Sequence, residues 1–141
     1  MATHPTILIE QALAAKLGDG SGAAGIASSI AIAWREIEHS LAPVLGAAGV
    51  AALCKRSVQL AARDHPFLAA PAGQVANCDT AALEKSIAGQ TGEDAAAGGA
   101  AVLIQFNDLL AKLVGTALTD RLLRSAWDLL SNGPPNLDAP S

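Results

Sequence analysis

Residues 101–130 read AVLIQFNDLLAKLVGTALTDRLLRSAWDLL, and this stretch decides the fold. Val102, Leu103, Phe106, Leu109, Leu110 and Leu113 recur at three- and four-residue intervals, the spacing of one helical face. Gly115 then stands where a helix ends, since a residue without Cβ accepts the positive φ of that position. Leu118, Leu122, Leu123, Ala126, Trp127 and Leu130 repeat the pattern, with Asp120, Arg121, Arg124 and Asp128 on the other face. Two amphipathic helices of opposite direction are the expectation. Leu110, Leu113 and Leu122, mid-stripe, are expected to be buried.

Working toward the N-terminus, the long helix opens at Glu93 or Asp94. Gly98 and Gly99 near its start cost about 2 kcal/mol against two alanines, which predicts a neighbouring helix in close approach. Gly89–Gly92 is a turn. Asp79 caps a short helix through Ala88 that is anchored by Leu83 and Ile87. Residues 66–78, with Pro66, Pro71 and Gly73, are irregular, and Phe67 and Leu68 tuck back onto the core.

Before them a helix from Ala47 to Asp64 buries Val50, Leu53, Cys54, Ser57, Val58 and Ala61 and exposes Lys55, Arg56, Gln59 and Arg63. Pro43 breaks or kinks the chain ahead of it. A helix from Ala24 to Leu41 carries the stripe Ile26, Ile30, Ala33, Trp34, Ile37, Leu41, opposite Arg35, Glu36, Glu38 and His39. Gly18–Gly22 separates it from a first helix capped by Thr3 and lined by Ile9, Ala12, Leu13 and Leu17. Period-two alternation is absent throughout. The sequence therefore predicts an all-α, single-domain antiparallel helical bundle of five to six helices over residues 1–131. Residues 132–141 are expected to form a disordered tail.

Composition agrees. The 141 residues include 32 Ala and 19 Leu, both strong helix formers, and 51% of the chain is hydrophobic. The net charge of −4 lacks the basic footprint of a nucleic-acid binder. Five basic and five acidic groups fall in residues 1–70, against four and eight in residues 71–141. The uncharged runs Gly20–Trp34 and Leu41–Cys54 are shorter than the roughly 18–20 residues that span a bilayer. The N-terminus has no basic signal-peptide region. The expectation is a cytoplasmic protein without membrane or nucleic-acid partners. Cys54 and Cys78 fit no metal or redox spacing and are expected to be buried reduced thiols, with a Cys54–Cys78 bridge as the alternative.

Two stretches, Gly49–Val58 and Leu109–Leu123, resemble small all-helical proteins of proteobacteria. The resemblance implies a helical fold and a bacterial origin, and it carries no catalytic residues.

Local chemistry is sparse. His39 lacks the Lys at +3 and Gly at +4 of a histidine phosphotransfer helix, having Ala42 and Pro43 there, and His65 precedes a proline. No phosphate-binding loop, nucleophile elbow, metal motif or cofactor motif is present. The expectation is a non-enzymatic regulatory or protein-interaction module, homodimeric through small-residue surfaces at Gly46–Ala52 or Ala95–Ala101. The alternative is a sensor that binds an anionic or phosphorylated molecule at Lys55, Arg56, Arg63, Arg121 and Arg124, since guanidinium forks suit phosphate.

Overall fold

A computed structural model describes residues 5–18, 22–68 and 80–132, and these form five α-helices and one 3-10 turn. The helices are α1 (Pro5–Gly18), α2 (Gly22–Ala61), α3 (Thr80–Ala88), α4 (Gly92–Val114) and α5 (Thr116–Asn132); the 3-10 turn is Pro66–Leu68. No strand occurs among the described residues. The all-α bundle read from the sequence is the fold. The caps expected at Thr3 and Asp79 lie outside the described residues, as do residues 133–141 of the expected 132–141 tail, whose first residue, Asn132, instead ends α5.

The core forms where the stripes meet. Every predicted member of the first α2 stripe, Ile26, Ile30, Ala33, Trp34, Ile37 and Leu41, is buried. The α4 stripe is buried at Val102, Leu103, Phe106 and Leu110. Trp34 meets Phe106 edge to face, with ring centroids 4.8 Å apart. A Cβ placed on Gly99 would overlap the Ile30 Cδ1 methyl, and one on Gly98 would overlap the Phe67 ring. The glycine pair thus has the reason inferred for it: α2 and the Phe67 turn press on the α4 backbone. Phe67 itself is half-buried and Leu68 is buried. Because Ile30 sits over Gly99 and Trp34 over Phe106, the first part of α2 runs in the same direction as α4.

The structure departs from the sequence reading in four places. The helix continues through Pro43 and leaves helical geometry at Gly46 (φ 79, ψ 158), so the break lies three residues later than Pro43. A proline's fixed φ suits a helix, whereas the Gly46 backbone occupies a region open only to glycine. Leu113 is 61% exposed and Leu118 40% exposed, and Leu122 is only half-buried. Leu113 and Leu118 flank the α4–α5 turn at Gly115, at the ends of their helices. Of the two small-residue surfaces, Ala95–Ala101 is divided: Ala95, Gly98, Gly99 and Ala100 are buried against the chain's own core, while Ala96 and Ala101 are half-buried and Ala97 is exposed. Gly46–Ala48 and Ala52 remain exposed. Finally, Cys54 is buried and disulfide-bonded rather than a reduced thiol. Pairing is a matter of distance in the fold, which sequence spacing does not reveal. Cys78 lies outside the described residues.

Windows within α2 and α4 are apolar enough to cross a bilayer by length and composition. Counting strictly uncharged runs hides this, because a window tolerates a charge or two. The α4 window is 44% buried inside the bundle and the α2 window 22%.

Helix ends are closed locally. Thr91 is the N-cap of α4, its Oγ1 accepting from the Asp94 N–H at 3.1 Å, with Glu93 and Asp94 in the first turn. Gly115 closes α4 by donating its N–H to the Ala111 carbonyl at 2.8 Å. Its φ of 94° and ψ of 156° let α5 begin one residue later. Ser125 on α5 then donates to the Glu36 carboxylate on α2 at 2.7 Å, tying the last helix back to the first part of α2.

Candidate functional site

A trough of about 620 Å³ lies between α1 and α4. Its α4 wall is built by helical periodicity. Glu93, Ala96, Ala97, Ala100, Ala101, Ile104 and Gln105 share one face over three turns. At 1.5 Å per residue that wall is about 18 Å long. Glu10, Leu13 and Ala14 form the α1 wall, and His65 stands at the turn after α2. Leu13 is buried and supplies the floor, and Ile104 is half-buried. His65 is held by the ring of Phe67, edge on at 6.3 Å, and Phe67 in turn packs on Gly98.

The trough is deep because its walls are alanine. A leucine at any of Ala96, Ala97 or Ala101 would fill space that these short side chains leave open. The two glycines below, pressed by Ile30 and Phe67, hold α4 at a fixed height against the core. Glu10 and Glu93 are exposed, and among the described residues neither has a hydrogen-bond or ion-pair partner. No Lys or Arg lines the trough. No cluster of three His, Cys, Asp or Glu groups suited to a metal ion occurs among the described residues.

The residues singled out as an anion site lie elsewhere. Lys55, Arg56 and Arg63 line the exposed side of the second part of α2 and its following turn, and Arg121 and Arg124 line the exposed side of α5. All five are solvent-exposed, and none borders the trough. Sequence reading missed the trough itself. Its walls lie some eighty residues apart in the chain, and alanine positions carry no chemical signal. The available signal was negative: Ala96, Ala97, Ala100 and Ala101 offer little apolar surface on a helix whose other face carries Val102, Leu103, Phe106 and Leu110.

A second apolar feature occupies one end of the bundle. The first part of α2 and α4 run in the same direction, so Val44 and Leu113 come to the same end, beside the start of α5 at Leu118. These three are among the large hydrophobic side chains left exposed, at 52%, 61% and 40%.

Comparison with protein-family models, curated proteins and solved structures finds no match to this chain.

Proposed function

We propose that this protein is a non-enzymatic interaction module that docks a segment of a partner in the α1–α4 trough. The observation that carries this reading is the trough: about 620 Å³, lined mainly by apolar side chains, with Glu10, His65, Glu93 and Gln105 as its polar groups. Binding sites of this volume class are commonly apolar with few polar groups. Alanine walls also let a partner backbone come close, toward the short end of the roughly 8–10 Å interaxial range of packed helices. The absence of a local catalytic motif in the sequence agrees with a binding role.

The test is a neutral solvatochromic dye, Nile red, with wild type and Ala97→Trp. Ala97 is exposed on the α4 wall, so the indole fills the trough without a change of charge. Dye emission shifts to the blue with wild type and does not with the variant. Equal emission from both overturns the docking site.

Homodimerisation belongs to the same reading, and the exposed end formed by Val44, Leu113 and Leu118 is the surface that favours it. Sedimentation showing only monomer at high micromolar concentration removes it. The anion-sensor alternative retains one supporting observation: Lys55, Arg56 and Arg63 share an exposed face free of acidic residues until Asp64. That alternative predicts thermal stabilisation by inorganic phosphate that disappears in Arg121→Ala/Arg124→Ala. The disulfide at Cys54 supports an oxidising compartment over the cytoplasm, where thiols are kept reduced.

A further inference from the structure

We infer that the occupant of the trough is an amphipathic α-helix of another protein, with Lys or Arg along the edges of its apolar face. This rests on the docking reading above and names the partner's chemistry.

Charge at the trough favours a basic partner. The titratable groups at the trough are Glu10, Glu93 and His65, and both carboxylates stand without a partner among the described residues. No cation of this chain lines the trough. An approaching basic edge meets two open acceptors, while an acidic edge meets repulsion. The chain's net charge of −4 adds to the same preference at long range.

The shape of the trough favours a helix. The α4 wall, about 18 Å long, matches three turns of a helix. Alanines at its wall positions leave the side-chain layer to be supplied by the incoming helix, whose Leu or Ile stripe fills the space between the walls.

The cations come from another protein. Residues 1–4, 19–21, 69–79 and 133–141, which lie outside the described set, contain no Lys or Arg. A second copy offers two exposed basic helix faces, and neither presents an apolar stripe to the trough. Lys55, Arg56 and Arg63 are interleaved with Ala52 and Gln59, and the stripe of α5 beside Arg121 and Arg124 is buried in its own core at Leu123, Ala126, Trp127 and Leu130.

The experiment uses three 14-residue helical peptides with one shared Leu/Ala face and edges of Lys, Gln or Glu. Binding is read by fluorescence anisotropy at low and moderate salt. The proteins are wild type, Glu10→Lys/Glu93→Lys, and two variants that fill the trough from opposite walls, Ala97→Trp and Ala14→Trp. Retained far-ultraviolet spectra establish that each is folded. Wild type binds in the order Lys, Gln, Glu, with about tenfold between the first and last, as two exposed carboxylates provide. Salt narrows the gap. The double-lysine variant reverses the order, and the trough-filling variants bind none of the three. Equal affinity for all three peptides, lost on filling the trough, overturns the cationic partner and leaves the docking site standing. Absence of binding by all peptides, or binding indifferent to both tryptophans, overturns both.

Discussion

Gly99→Ala sets two effects against each other, and the structure decides the sign. On an exposed helix the change stabilises, because alanine is better than glycine by about 1 kcal/mol. Here the added methyl would overlap Ile30 Cδ1 and lie 3.3 Å from Ile30 Cγ1, with Leu13 Cδ1 at 3.9 Å. Ile30 is 2% exposed and Leu13 1%, so neither has room to withdraw toward solvent. Overpacking of this kind costs about 1–3 kcal/mol, which outweighs the propensity gain and leaves a net loss near 1 kcal/mol. The second arm removes the obstacle. Ile30→Val deletes Cδ1 and alone costs about 0.5–1.5 kcal/mol. In Gly99→Ala/Ile30→Val the new methyl occupies the vacated space, so the double variant is more stable than the sum of the singles by about 1 kcal/mol or more. Urea unfolding followed by circular dichroism at 222 nm measures all three. If Gly99→Ala stabilises by the full propensity term, or the two changes simply add, the α2–α4 contact at Ile30 is refuted, and with it the packing that sets the height of the trough's α4 wall.

Three further outcomes follow from particular contacts. Leu110→Ala loses about 2–5 kcal/mol because its side chain is fully buried, whereas Leu113→Ala, at 61% exposure, changes stability by less than about 0.5 kcal/mol; equal losses in urea unfolding would mean that the helix face is misplaced. Thr91→Ala removes the acceptor for the Asp94 N–H and costs about 1 kcal/mol, while Thr91→Ser retains most of it; thermal melts that rank the two alike contradict the cap. Reduction of the Cys54 disulfide lowers stability by about 2–4 kcal/mol, seen as a lower Tm in dithiothreitol, and a Tm indifferent to reductant contradicts a structural bridge.

The fold was legible because periodicity reports it directly. Ile26 through Leu41 and Val102 through Leu110 each repeat at helical spacing; the first stripe is buried throughout, and the second at Val102, Leu103, Phe106 and Leu110 with Leu109 half-buried. Gly98–Gly99 was legible for a different reason: a costly pair inside a helix has a packing cause, and Ile30 and Phe67 supply it. Periodicity does not say where along a stripe burial ends, which is why Leu113 and Leu118 were misplaced at the α4–α5 turn. Nor does it tell a proline that a helix tolerates from the glycine that ends it, as at Pro43 and Gly46. The trough was out of reach because it is the space left by small side chains on two elements. Only the relative placement of Leu13 and Ala14 with Ala97 and Ala101 creates it. Clustering in sequence, by contrast, overstated the five cations, which the fold spreads over exposed positions of two helices.

The central claim, that the α1–α4 trough is the docking surface, is tested most directly by methyl resonances of Ala, Ile and Leu during titration with the Gln-edged amphipathic peptide. Being uncharged, that probe separates the site from its preference for cations. The account predicts perturbations concentrated at Leu13, Ala14, Ala97, Ala101 and Ile104, the groups that line the trough. Perturbations centred on Val44, Leu113 and Leu118 at the end of the bundle, or none at saturating peptide, would contradict it.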